Sequence, residues 1–307
     1  MKDSFQFQTL SIKILLALAA LFCFQFIAFS QNPTDDEIRI DSSLVLLNVS
    51  VRDANGRFVT GLKRDLFSIF EDGVKQEISY FSSEETPFAA IILLDTSGSM
   101  EERVVLARSA ALQFLDRLRP QDTAAIYTFD SKISLIQPFS SSRDAVDKLY
   151  EVKSDGMTKL NDAIYLAAGE LRKRPEKRRA IILLSDGQDT VSGRSAEAAL
   201  RSALESNCVI YTIDMSPTGA PNRFLNQGPL KFFAEKSGGQ FIDTPGGAAL
   251  RDAFTKIVEE LGNQYTLGYS LPEDKADGKW HSIELRIARP NLQIRTRKGY
   301  QAPKAKK

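Results

Sequence analysis

Asp95, Ser97 and Ser99 stand two residues apart, directly behind the apolar run Phe88-Ala89-Ala90-Ile91-Ile92-Leu93-Leu94. A buried strand that ends in one carboxylate and two hydroxyls presents hard oxygen donors at the mouth of a sheet. Such donors suit a small divalent cation rather than a nucleophile waiting for a base. Two further stretches offer the same chemistry. Thr158 closes Ser154-Asp155-Gly156-Met157-Thr158, just ahead of a helical pattern from 160. Asp186 lies in Ser185-Asp186-Gly187, just after the apolar run 180–184. Together Asp95, Ser97, Ser99, Thr158 and Asp186 fit Mg²⁺ or Mn²⁺, with waters completing an octahedron. The ion keeps unsatisfied charge and an open position, which a carboxylate from another molecule can take. Taken singly, each residue has a simpler reading. Ser97 or Ser99 can cap a helix starting at 101, Thr158 can cap the helix at 160, and Asp186-Gly187 can be a turn. Their joint occurrence, each after a strand or before a helix, favours the coordination shell.

These residues meet only if the elements carrying them converge. Between 87 and 262, apolar strand candidates at 88–94, 124–129, 180–184 and 208–213 alternate with helical periodicity. Val104, Ala107, Ala111, Phe114, Leu115 and Leu118 share one helical face. Leu160, Ile164, Ala167, Ala168 and Leu171 share another, and Leu250, Ala253, Phe254, Ile257 and Leu261 a third. The alternation predicts an α/β fold with a doubly wound, mainly parallel sheet, in which ligands bind beyond the carboxyl ends of the strands.

The flanks read as β. Val45, Leu47, Val49 and Val51 alternate with Leu46, Asn48 and Ser50 before the turn Asp53-Ala54-Asn55-Gly56. Short strands follow at Leu66 to Phe70 and Ile78 to Phe81, joined through Glu71-Asp72-Gly73. Past 262, Tyr265, Leu267 and Tyr269 alternate, as do Ile283, Leu285 and Ile287, then Leu292 and Ile294. Neither flank has many strands alone, so pairing both into one small β-sandwich around the α/β domain is the economical expectation. The alternative is two separate β appendages. The predicted organisation is 1–30, 31–86, 87–262 and 263–307.

Residues 1–30 resemble a signal sequence. Lys2 and Lys13 are basic, Ile14 to Phe29 is apolar but for Gln25, and Ala28-Phe29-Ser30 fits a small-x-small cleavage pattern before Gln31. The run is short for a membrane span. The expectation is an exported protein, periplasmic, cell-envelope or extracellular, with no membrane span unless the N-terminal segment stays uncleaved. Losing Lys2, Lys13 and Asp3 takes the net charge from +1 to zero. A neutral chain of 43% hydrophobic and 26% charged residues buries a sizeable core and has no general pull toward nucleic acid. The run Lys173, Arg174, Lys177, Arg178 and Arg179 reads as the solvated end of a helix. Cys208, in an apolar strand, reads as a buried structural thiol.

The decapeptide Ile91 to Met100 resembles the opening of a von Willebrand factor A domain. The Asp-x-Ser-x-Ser pattern of that family's metal-ion-dependent adhesion site (MIDAS) falls on Asp95, Ser97 and Ser99, its threonine on Thr158 and its last aspartate on Asp186. The resemblance covers about 87–262. Met157 replaces a glycine common in its loop, and Ser185 stands where threonine is usual. The mature chain is also similar to bacterial secreted proteins called VWFA-related. The resemblance implies a Mg²⁺-bearing adhesion site, with Mn²⁺ or Ca²⁺ as alternatives, bridged to an Asp or Glu side chain of a protein partner. It also implies that the last helix, 247–262, moves on ligand binding; because this helix leads straight into the C-terminal flank, a shift of that flank is a separate expectation.

Enzyme readings lack parts. The chain has one histidine, His281, so zinc-hydrolase sites and Ser-His-Asp triads cannot be assembled. His281 shares strand parity with Ile283 and Leu285 and reads as packing. An aspartyl phosphotransferase would want a second carboxylate where Ser97 stands, and no Gly-rich phosphate loop occurs. The reading is a non-enzyme. Its rivals are a metal-assisted hydrolase using Asp130, Asp155 or Asp189 as base, and a structural envelope protein with a non-functional site.

Overall fold

The computed structural model describes residues 44–303 apart from 84–85, 143–145, 218, 220–222, 244–246 and 272–274. The signal-like segment 1–30 and the tail Lys304 to Lys307 lie outside the described residues. In chain order the strands are β1 Leu44–Arg52, β2 Phe67–Glu71, β3 Val74–Gln76, β4 Tyr80–Ser82, β5 Phe88–Asp95, β6 Thr123–Phe129, β7 Ile133–Ser140, β8 Arg178–Ser185, β9 Cys208–Asp214, β10 Phe241–Asp243, β11 Tyr265–Ser270, β12 Trp280–Ile287, β13 Gln293–Arg295 and β14 Gly299–Gln301. The helices are α1 Val104–Leu115, α2 Val146–Glu151, α3 Leu160–Arg172, α4 Ala196–Glu205, α5 Arg223–Ser237 and α6 Gly247–Asn263.

Six strands form the central sheet in the order β10-β9-β8-β5-β6-β7. All neighbours are parallel except β6 and β7, so β7 is an antiparallel edge. β5 sits in the middle and every one of its residues is buried. Helices cover both faces, which is why its sequence is continuously apolar rather than alternating. One face packs Ile92 and Leu94 against Ala107 and Phe114 of α1 and Phe254 and Ile257 of α6. The other packs Ile91 and Leu93 against Ile164 and Ala168 of α3, Ala203 of α4 and Phe233 of α5. The doubly wound α/β domain expected from the sequence is therefore present. Sequence periodicity missed its edge strands β7 and β10 and its helices α2, α4 and α5.

The flanks pair with each other. One sheet has the order β13-β1-β11-β4, the other β14-β12-β2-β3, so each mixes strands from before and after the α/β domain. Leu47, Val49, Ile69, Leu267 and Tyr269 fill the layer between the two sheets. The sandwich expectation holds, with one change of detail. Asp72 and Gly73, at φ +48° and +82°, make a tight hairpin turn that returns as β3, and Ile78 lies outside any strand.

The basic run is a solvated helix end only at its start, where Lys173 closes α3 with its side chain 70% exposed. Arg178 is 0% exposed. Its guanidinium donates to the carbonyls of Leu261 (3.3 Å), Gly262 (3.1 Å) and Gln264, closing the carboxyl end of α6. Burial pulls its pKa down to about 10, which leaves it charged at neutral pH. Arg179 donates to the carbonyls of Glu176 and Ser206. Only tertiary packing could reveal the burial of Arg178, because the carbonyls that accept from it are far away in sequence.

Candidate metal centre

Three loops at the carboxyl edge of the central sheet are stitched together by backbone hydrogen bonds. Asp155 N donates to Thr96 O (2.9 Å) and Gly98 N to Gly156 O (3.2 Å), joining the loop after β5 to the loop before α3. Thr190 N and Val191 N donate to Thr158 O at 3.0 and 3.1 Å, joining that loop to the segment after β8. Thr158 N in turn donates to Thr190 Oγ1 (2.8 Å). The five residues picked from the sequence sit on these three loops.

Asp95 is 0% exposed. Its Oδ1 accepts from Ser97 N (3.0 Å) and Ser97 Oγ (2.6 Å), and its Oδ2 from Ser185 Oγ (2.6 Å). Ser97 Oγ lies 3.2 Å from Ser99 Oγ. Ser97, Thr158 and Asp186 are buried, whereas Ser99 is exposed, so the cluster opens to solvent along Ser99. Among the described residues Asp95 has no ion pair. Burial raises its pKa to about 6, the Asp186 charge adds to the rise, and the hydrogen bonds from Ser185 and Ser97 oppose it.

Ser97 precedes a single 3-10 turn, Gly98–Met100, and makes no side-chain cap bond. The residue ahead of α3 is Lys159, again without a side-chain cap. The cap comes from Asp189, whose carboxylate accepts from Leu160 N (3.1 Å) and from the Asn161 amide. That frees Thr158 from the role. Asp186 does make a local turn bond, accepting from Gln188 N at 3.1 Å. Gly187 has φ +90°, and a Cβ there would stand 2.0 Å from Asn226 O, so the loop after Asp186 lies against the first turn of α5.

Asp130, Asp155 and Asp189, the candidate bases, are all engaged in loop bonds. Asp130 accepts from Lys132 N (2.9 Å) and Thr96 Oγ1 (3.3 Å), and Asp155 accepts from Gly156 N (2.7 Å). Sequence reasoning noted Ser185 only as a departure from pattern. The structure makes it a positioning residue, since it holds the second oxygen of Asp95 and accepts from Gly187 N (3.0 Å).

A doubly wound sheet with an oxygen-lined cluster beyond β5, α3 and β8 defines the class of domain. Residues 90–188 match the family model described as the von Willebrand factor type A domain. The matched residues fall inside the 87–262 span over which the motif resemblance was read, so this part of the chain is similar to that domain. An uncharacterized protein of Synechocystis is 32% identical over 108 residues, 34% of this chain and 26% of that one. A UPF0353 protein of Mycolicibacterium gilvum is 25% identical over 206 residues, 58% of this chain and 62% of that one. The chain therefore matches about a quarter and under two thirds of these relatives' lengths. Among solved structures, a von Willebrand factor type A protein from Catenulispora acidiphila aligns with 87% of this chain and 76% of its own, at 13% identity and a TM-score of 0.48. A pilus adhesin from Lactobacillus rhamnosus aligns with 83% of this chain and 48% of its own, at 11% identity and a TM-score of 0.48.

Proposed function

We propose that this chain is an exported, metal-dependent protein-binding module of the adhesion type. Asp95, Ser97, Ser99, Thr158 and Asp186 would hold Mg²⁺, and an Asp or Glu side chain of a protein partner would complete its shell. One observation carries the reading: Asp95 is a wholly buried carboxylate held by hydroxyls and an amide, with no ion pair among the described residues, at a cluster open to solvent. A buried carboxylate without a counter-charge is costly, and a divalent ion supplies that charge. The donor set is all oxygen, as Mg²⁺ prefers. The 3.2 Å between Ser97 Oγ and Ser99 Oγ is close to the roughly 3 Å that separates neighbouring ligands at Mg–O distances of about 2.1 Å.

Around this cluster the surface is suited to a protein. Met157, next to Thr158, is 58% exposed. Phe224 and Leu225 are 85% and 74% exposed on the turn of α5 that abuts Gly187. Apolar side chains beside a cation give a partner both a charge to meet and area to bury. Binding rather than catalysis is favoured because each nearby candidate base already serves a loop.

Calorimetric titration of the full chain with Mg²⁺, Mn²⁺ and Ca²⁺ tests this. One Mg²⁺ should bind, and Asp95→Ala should abolish it while circular dichroism stays unchanged. No binding at millimolar Mg²⁺ would sink the proposal. Pull-down from envelope extract with and without chelator, comparing wild type with Asp95→Ala, identifies the partner. Turnover of a generic phosphoester that vanishes in Asp95→Ala would favour the hydrolase instead.

A further inference from the structure

We propose that Glu71, Asp72 and His281 form a second, separate cation site in the β-sandwich, suited to a transition-metal ion such as Zn²⁺. The site does not depend on the reading of the Asp95 cluster. It is assembled by strand pairing: β12 runs antiparallel to β2 with Ile283 opposite Glu71, and Asp72 N donates to Ser282 O (3.0 Å) across the same ladder. This brings His281 beside the β2–β3 turn. Its Nδ1 lies 2.7 Å from Asp72 Oδ2 and 3.7 Å from Glu71 Oε1. One ligand atom from each of the three residues falls within 4.8 Å of the others. Tetrahedral Zn²⁺ with bonds near 2.1 Å sets its ligands roughly 3.4 Å apart, so small side-chain shifts suffice.

The outer partners of such a site are in place. Asp277 Oδ1 sits 3.1 Å from His281 Nε2, the carboxylate–histidine arrangement that orients a ligating imidazole. Asp72 Oδ1 accepts from Ser282 N (2.9 Å) and Ser282 Oγ (3.1 Å), which leaves Oδ2 toward the imidazole. Glu71 Oε1 accepts from Tyr300 OH (3.2 Å). A second observation points to a ligand. Glu71 is 1% exposed and its Oε2 has no hydrogen-bond partner among the described residues. The other groups facing Glu71 are the Tyr269 hydroxyl and His281, and with the imidazole neutral neither gives the carboxylate the charge that a metal would bring. The Asp72 side chain is 35% exposed, so a fourth position would be open to solvent.

One cation already touches the cluster: Lys275 Nζ is 3.0 Å from Asp72 Oδ2. Its side chain is 31% exposed, and an incoming metal would displace it toward solvent. The donor set separates the two sites. One imidazole nitrogen with two carboxylates favours Zn²⁺, whereas the hydroxyl-rich Asp95 cluster favours Mg²⁺. Because Glu71 and His281 come from opposite flanks, an ion here would clamp the N-terminal hairpin to a C-terminal strand. Binding would then stabilise the sandwich by linkage.

The test uses the full chain, stripped with chelator and titrated with ZnCl₂ in saturating Mg²⁺. Wild type and Asp95→Ala should each bind one Zn²⁺ and melt at higher temperature when loaded. His281→Ala should lose at least a hundredfold in Zn²⁺ affinity, and Asp277→Asn about tenfold, on the scale of outer-shell losses. The single histidine gives a readout that needs no variant: the imidazole nitrogen signals of wild type should shift in step with Zn²⁺. Unchanged imidazole signals at saturating Zn²⁺, or a Zn²⁺ site lost in Asp95→Ala and kept in His281→Ala, would overturn the proposal.

Discussion

Two buried carboxylates of this protein are held in opposite ways. Glu260, on α6, is 1% exposed and is clasped by the guanidinia of Arg52 from β1 (3.0 Å) and Arg295 from β13, with Tyr211 OH donating at 2.8 Å. Asp95, at the end of β5, is equally buried but meets only hydroxyls and an amide. At Glu260 protein cations supply the counter-charge, and the carboxylate ties the α/β domain to both flanks of the sandwich. At Asp95 the described residues supply none. The difference separates a carboxylate balanced by protein cations from one that, on the proposed function, an external cation would balance.

The comparison is most strongly tested at Glu260. Glu260→Ala should cost about 3–5 kcal/mol, the scale for leaving buried charges unpaired. Urea unfolding would measure it, and a loss under about 1 kcal/mol would erase the structural half of the contrast. Because Arg52 and Arg295 reach α6 from both flanks, any shift of α6 on ligand binding must carry or break this clasp. Hydrogen exchange of 247–300 unchanged by saturating partner and Mg²⁺ would count against such a shift.

Asp95 should behave in the reverse sense. Its native pKa of about 6 lies above the ordinary 3.8, so the folded state holds the proton more tightly than the unfolded chain. The stability this confers is present below about pH 4 and is lost as pH rises through 6. In chelated protein the loss should be on the order of 3 kcal/mol, absent in Asp95→Asn, and offset in wild type by Mg²⁺. Denaturant midpoints from about pH 4 to 7.5 in both proteins provide the check. A flat wild-type profile would mean that Asp95 is less isolated than its contacts indicate.

A smaller effect is expected at Asp189. Removing its cap on α3 with Asp189→Ala should cost roughly 1 kcal/mol. It should also weaken Mg²⁺ binding several-fold, because α3 follows directly on Thr158. Unchanged Mg²⁺ affinity would indicate that the Thr158 loop is held without the cap. The smallest change is expected away from both carboxylates. Burial pushes the Cys208 thiol up to about 12, so in native protein Cys208 itself, read by mass mapping of the labelled peptide, should resist thiol reagents at about pH 8 and react on unfolding. Rapid labelling of Cys208 in the native chain would place it outside the packed layer.

The legible part of the fold was the part written locally. Strands 88–94 and 180–184 are continuously apolar because helices cover both of their faces, and α3 and α6 carry a clear 3.6-residue period. The edge strands β7, β10 and β14 are short or half-exposed and leave little pattern. At the site, oxygen chemistry and strand-end position were enough to pick out five residues. The particular partners of Ser185 and Asp189 were not legible because a hydroxyl or carboxylate in a loop looks alike whether it bonds its own turn or a loop about ninety or thirty residues away.

The sequence by itself determined the α/β core, the β character of both flanks and the oxygen donors at three strand or helix ends. Each follows from short-range periodicity and residue chemistry. Tertiary structure alone decided which flank strands pair, that Arg178 is buried against the end of α6, and that Glu260 receives two arginines while Asp95 receives none among the described residues. It also brought His281 to Glu71 and Asp72. Those outcomes depend on contacts between residues far apart along the chain, where burial removes water and leaves each charge to whatever partner the packing provides.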